Sequence, residues 1–245
     1  MTGLLPVDFL GTAGITFAAH PPPVLTLRER AEVDRLWQET RAGNPAAFDG
    51  PVATALGVDR PRPGSLVVRW APTTYRMRAL RRLWPSDRVP GSLYVTALVP
   101  TGSGVLIGRG SPGTARPGHW TLPGGTVEPP PPGEGLDIAG LRRHAVRELS
   151  EETGMRVPAG DLRLWALTRS RRFGSLGFHF ACPAVSESLV RRRHANLTGT
   201  RAAPATEPPP ELDALAFVAS PGEATDLGPT ADYLPQLLGR HFDFR

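Results

Sequence analysis

The stretch from Trp120 to Met155, WTLPGGTVEPPPPGEGLDIAGLRRHAVRELSEETGM, decides the reading of this chain. In its second half Ile138, Leu141, Ala145 and Leu149 recur at helical spacing, and Gly154 is a stop signal. The spacing predicts a helix from about Asp137 to Thr153. That helix carries Glu148, Glu151 and Glu152 at i, i+3 and i+4, so three carboxylates share one face. Like charges so placed repel, and nearby Arg residues offset only part of the cost. A divalent cation over that face resolves the conflict, and carboxylate oxygens suit Mg2+ or Mn2+ rather than a soft metal. Gly124 and Gly125, lacking Cβ atoms, let the backbone approach a metal or a phosphate closely. The plainer reading of an acidic helix is a solvated face; the Leu-Pro-Gly-Gly loop and the Gly stop that frame this one favour a site.

Outward from this segment, a strand is expected over Ser92–Val99, with a turn at Thr101–Gly104 and a returning strand Val105–Gly108, read together as a hairpin. Downstream, Leu162–Thr168 and Gly177–Cys182 read as strands, Arg191–Pro210 as a polar loop, Leu215–Ala219 as a short strand, and Pro229–Leu238 as a last helix. Upstream, Gly14–Ala19 suggests a strand. Thr26 with Glu29 forms a capping box for a helix to about Arg41. Val52–Val58 and Leu66–Trp70 read as strands. Strands flanking one central helix argue an α/β (α+β) sandwich. A small α+β extension spans residues 1–90, and a second unit spans 91–245.

The chain has 245 residues, 40% of them hydrophobic and 21% charged, enough to bury a core. Gly and Pro, 27 and 28 residues, imply long loops. Cys182 is the single cysteine, which excludes an internal disulfide and leaves a buried, inert thiol as its expected state. No apolar run approaches the roughly 20 residues that span a bilayer, and no signal peptide is read. A cytoplasmic location without a membrane partner is expected. All 28 basic residues are Arg, and the net charge of +5 favours anionic partners such as phosphates.

On these residues the chain resembles the Nudix superfamily. Arg147, Glu148, Leu149, Glu151, Glu152, Gly154 and Met155 match the distal half of the Nudix box, and Trp120, Leu122, Pro123, Gly124 and Gly125 match the loop that opens it. The resemblance implies the Nudix αβα sandwich with a mixed sheet. It implies metal ligation by Glu148, Glu151 and Glu152, completed by the Gly124 carbonyl, with Arg147 orienting the glutamates. The implied reaction is Mg2+-dependent (or Mn2+-dependent) hydrolysis of a nucleoside diphosphate linked to a second moiety. The chain departs from the pattern in one respect. Gly125 and Arg147 lie 22 positions apart where the family has 14, an insertion of 8 that holds the proline run. The family's glutamate before that Arg falls on Ala139; Glu134 and Asp137 are displaced candidates for its supporting role. A base or further ligand from a later loop would be Glu207 or Glu211.

Residues 31–50 and Thr73–Arg76, with Trp37, Asn44-Pro45, Phe48-Asp49-Gly50 and Thr74-Tyr75-Arg76, resemble the N-terminal extension of the UDP-glucose/UDP-galactose diphosphatase branch. That implies UDP-sugar plus water giving UMP and sugar 1-phosphate. Tyr75 could stack on uracil and Arg76 bind phosphate, or both could be an ordinary strand pair; Trp120 could stack on a base or pack in the core. His119, His144, His179 and His194 show no ligand spacing. The alternatives are hydrolysis of ADP-ribose, an ADP-sugar or another nucleotide, or a non-catalytic Nudix-fold nucleotide sensor. Retention of all three glutamates speaks against the sensor, and the lack of a helix-turn-helix after Leu238 speaks against a nucleic-acid partner. A homodimer is compatible with the family.

Overall fold

The structure, a computed structural model, describes residues 6–85, 88–199 and 210–243. Its strands are β1 (Val7–Leu10), β2 (Ile15–Ala19), β3 (Pro51–Asp59), β4 (Leu66–Thr74), β5 (Gly91–Leu98), β6 (Val105–Gly110), β7 (Trp120–Thr121), β8 (Arg163–Ser170), β9 (Leu176–Ala181) and β10 (Leu212–Val218). Its helices are α1 (Leu27–Gly43), α2 (Ile138–Thr153), α3 (Glu187–Gly199), α4 (Pro221–Asp226) and α5 (Leu234–Asp243).

Seven strands form a mixed sheet in the order β1-β8-β9-β5-β3-β4-β2, and β10-β6-β7 form a smaller antiparallel sheet. Strand alternation divides β5 between two cores. Leu93, Val95 and Ala97 pack with Leu141, Ala145 and Leu149 of α2. Tyr94 and Leu98 belong instead to the core that Val105 and Ile107 of β6 build with Leu234, Leu237 and Leu238 of α5. The result is the expected αβα sandwich. The strands of residues 1–90 extend the large sheet: Thr54 and Ala55 of β3 pair with Ser92 and Gly91 of β5, and β1 pairs along β8.

The structure corrects several local expectations. The hairpin over 92–108 does not form as one paired ribbon. Its turn exists, with Thr101 N–H donating to the Gly104 carbonyl at 2.6 Å and a bridge between Pro100 and Val105. Beyond it the strands part, β5 to β9 and β3, β6 to β10 and β7. β5 is buried along most of its length and takes partners on both edges, so β6 is displaced into the second sheet.

The supposed loop beginning at Arg191 starts inside a helix. α3 runs through Glu187–Gly199, with Val190 buried and Arg191 ion-paired to Glu187 at 2.6 Å. Arg is a good helix former, and a narrow apolar stripe suffices to dock it. Tyr75 and Arg76 are not a strand pair. The chain leaves β4 at Thr74 and enters a 3-10 helix, Tyr75–Arg82, because Tyr75 N–H donates to the Gly50 carbonyl and Arg76 N–H to Asp49 Oδ1. The last helix starts later than expected, at Leu234, with Pro235 in its first turn where a missing N–H costs nothing. Among the described residues no helix is long and apolar enough to cross a membrane.

Candidate active site

α2 is fixed at both ends. Asp137 caps it, accepting the Gly140 N–H at 2.6 Å, and Gly154 closes it with φ 72°, a left-handed turn that glycine adopts without strain. Leu141, Ala145 and Leu149 face the sheet, so Glu148 and Glu152 emerge at the helix flank beneath the Pro123–Val127 segment. That segment lies along β5: Ala97 N–H donates to the Pro123 carbonyl and Val95 N–H to that of Gly125. The intervening Gly124 peptide turns toward the helix, where its N–H donates to Glu152 Oε2 at 2.7 Å. Gly124 has φ 153°, and a Cβ there would sit 2.1 Å from the Val95 carbonyl oxygen. Only glycine fits.

Glu152 is 4% exposed. Burial pushes its carboxyl well above the usual range; the Gly124 N–H opposes that, and the charges of Glu148, Glu211 and Glu151 add to it. Glu148 is also largely covered, and its Oε1 meets His144 Nε2 at 2.7 Å. A Cβ on Gly125 would lie 2.4 Å from Glu148 Oε2, so the space beside this carboxylate exists because residue 125 has no side chain. Glu151 is the most open of the three, its carboxylate 4.0 Å from Arg147 Nε. Burial and then the charges of Glu148 and Glu151 raise the Glu211 carboxyl, just before β10. Four acidic groups from α2 and the start of β10 therefore share one electrostatic neighbourhood.

These hard oxygen donors, mutually repelling and set against a glycine cradle, have the chemistry that Mg2+ or Mn2+ requires. Among the described residues no three His, Cys, Asp or Glu side chains already converge as an ion cage. Glu152 is engaged by Gly124 and Glu148 by His144, while Glu151 points to Arg147.

Arg147 Nη2 donates to Glu128 Oε1 at 2.8 Å. Glu134 and Asp137, the candidates for supporting Arg147, make no ion pair with it. Glu134 stands exposed in the turn closed by its N–H to the Pro131 carbonyl, Asp137 is committed to the helix cap, and Ala139 offers no charge. Of the two later acids, Glu211 lies within electrostatic reach of Glu148 and Glu151; Glu207 lies outside the described residues. Trp120 is buried and donates from Nε1 to the Leu227 carbonyl at 3.2 Å, a packing role. Tyr75 meets Trp37 edge-on at 6.2 Å, and Arg76 is ion-paired to Asp34 at 2.9 Å and Asp49 at 3.2 Å. Both brace the 3-10 helix against α1 and the Gly50 turn. His144 was visible in the sequence four residues before Glu148. Glu128 was not, since its contact with Arg147 closes a loop through four prolines. Cys182 is buried as expected, its thiol pushed up to about 12 by burial.

The NUDIX domain family matches residues 92–234. The sequences of curated proteins give no match. Solved structures similar to this chain include a MutT protein from Methanosarcina mazei Go1, 22% identical, with a TM-score of 0.41 over 62% of this chain and 93% of that one. They also include a bifunctional NMN adenylyltransferase/ADP ribose pyrophosphatase from Francisella tularensis, 15% identical, with a TM-score of 0.44 over 68% of this chain and 44% of that one. A NUDIX hydrolase from Nitrosomonas europaea is 18% identical, with a TM-score of 0.41 over 77% of this chain and 86% of that one.

Proposed function

This chain belongs to the NUDIX family and is a hydrolase of phosphoric anhydrides, and we propose on that premise that it cleaves the diphosphate linkage of a nucleoside diphosphate derivative. The observation that carries the proposal is the seating of Glu148 and Glu152 of one helix against the Gly124–Gly125 loop, with Glu151 beside them on the same helix. In this reading the three glutamates and the Gly124 carbonyl would hold Mg2+ or Mn2+, which when bound would supply charge neutralisation at the phosphate oxygens and activation of water. Arg147 sets the position of Glu151 and is itself held by Glu128. Glu211, within electrostatic reach of Glu148 and Glu151, is the candidate base for the proton of the attacking water.

The candidate substrates are UDP-glucose or UDP-galactose, ADP-ribose and ADP-sugars. The extension motif that favours a UDP-sugar has a structural duty here, since Trp37, Tyr75 and Arg76 join α1 to the 3-10 helix. The proposal is therefore the diphosphatase reaction, with UDP-sugars as one candidate among these. A panel of UDP-glucose, UDP-galactose, ADP-ribose, ADP-glucose, a dinucleoside polyphosphate and a nucleoside triphosphate, each with Mg2+ or Mn2+ and mass analysis of products, tests it. Release of a nucleoside monophosphate and a phosphorylated second product supports the proposal. UMP with sugar 1-phosphate would single out the UDP-sugar. No cleavage of any member by protein that binds Mn2+ would overturn the proposal.

A further inference from the structure

The two carboxylate oxygens of Glu148 have different surroundings. Oε1 meets His144 Nε2 at 2.7 Å, one turn back on α2. A carboxylate oxygen accepts, so the ring carries its N–H at Nε2. Oε1 is also the oxygen nearer Arg147, 3.7 Å from Nη2. Both contacts use Oε1, which leaves Oε2 on the side of the glycine loop. A Cβ on Gly125 would collide with this carboxylate, and with Oε2 first.

The pair is sheltered. The His144 side chain is 9% exposed and that of Glu148 13%. Water competes little for a hydrogen bond so covered, and a charged acceptor strengthens it. The imidazole is itself braced. Arg147 Nη2 stands 3.3 Å from Nε2 and 3.4 Å from Nδ1, so the guanidinium lies against the ring rather than at one lone pair. The same Nη2 donates to Glu128 Oε1 at 2.8 Å. Glu128, Arg147, His144 and Glu148 thus form one chain of contacts that ends on a carboxylate beside the glycine loop.

A free glutamate side chain must be ordered when it takes up an ion, and that ordering weakens binding. A carboxylate pinned through one oxygen presents the other already placed.

We propose that His144 is a positioning residue for the metal site: its Nε2–H pins Glu148 Oε1 and so presents Oε2 as the ligand oxygen on the Gly125 side. This role rests on the reading of Glu148 as a metal ligand given above, and not on the substrate or the reaction.

The test is Mn2+ binding without substrate. Metal-free protein is titrated with Mn2+, and the free ion is followed by electron paramagnetic resonance. His144→Ala should weaken binding roughly 10- to 100-fold, the range for a lost outer partner of a metal ligand. His144→Gln, whose amide N–H can replace that of Nε2, should recover most of the loss. The two variants should unfold at similar temperatures, because alanine and glutamine are both good helix formers. Adding His144→Ala to Glu148→Gln should cost no further affinity, since a residue that acts through Glu148 has nothing left to position.

Wild-type affinity in His144→Ala overturns the role. So do losses that add in full in the double variant. A nitrogen bound directly to Mn2+ in the electron spin echo spectrum, absent in His144→Gln, overturns positioning and makes His144 a ligand. The expected pattern of Mn2+ affinities, in a protein that cleaves nothing, supports the role of His144 and overturns the diphosphatase reading instead.

Discussion

The carboxylate of Glu128 meets the guanidinium of Arg147 at 2.8 Å, so the arginine next to Glu148 finds its shortest ion pair with a residue from before the proline run rather than with its own helix. The pair is about half exposed on both sides and contributes little to stability. Its consequence is positional. Glu128→Gln should shift the unfolding free energy by less than about 1 kcal/mol, while kcat falls roughly 10-fold as Arg147 loses its anchor. A variant with wild-type kcat would show that Arg147 needs no support from this residue.

Glu152→Gln keeps the size of a buried side chain that accepts the Gly124 N–H. Turnover with Mg2+ should fall by more than about 100-fold, beyond the range of residues that only support a ligand. Circular dichroism should show an intact fold. Turnover near the wild-type rate in a folded E152Q protein would remove Glu152 from the metal site.

Gly124 and Gly125 should respond differently to alanine. At Gly124 the new Cβ meets backbone, Val95 O at 2.1 Å and Thr96 Cα at 2.7 Å, in a conformation that L side chains avoid. Gly124→Ala should cost roughly 2 kcal/mol or more in denaturant unfolding. At Gly125 the new atom meets the end of the Glu148 side chain, which can swing away. Gly125→Ala should leave stability within about 1 kcal/mol of wild type and raise the Mg2+ concentration needed for half-maximal activity. Equal stability losses in the two variants would contradict this separation.

His179 is fully buried, with its two ring nitrogens 2.8 Å from Thr96 Oγ1 and Thr168 Oγ1. Burial lowers it from 6.5 to about 3. The unfolded chain therefore takes up a proton below pH 6.5 that the folded one refuses until about pH 3. Its contribution is fully present above pH 6.5 and is lost as pH falls, at about 1.4 kcal/mol per pH unit. Comparing wild type with His179→Gln by urea unfolding, the stability difference should narrow by about 2 kcal/mol between pH 7 and pH 5. A difference that stays constant with pH would mean that His179 charges in the folded state.

What was legible in the sequence depended on local physics. The limits of α2 followed from helical spacing and a Gly stop, and those of α1 from the capping box, which forms with Thr26 and Glu29. The three glutamates could be placed on one face because helix geometry ties neighbours within four residues. Most strands were visible through apolar alternation. The polar α3 was missed because its inward-facing stripe is too narrow to stand out among arginines.

By itself, then, the sequence determined the sandwich, the acidic helix face and the glycine loop above it, since each depends on contacts a few residues apart. Tertiary structure decided the rest. It parted β5 from β6, because the edges of β5 were already claimed by strands distant in the chain. It paired Arg147 with Glu128 and set Glu211 within electrostatic reach of Glu148 and Glu151. It turned Tyr75 and Arg76 into braces for α1. These relations join residues tens of positions apart, and no periodicity in the chain records them; they exist only once the sheet has set the distances between its strands.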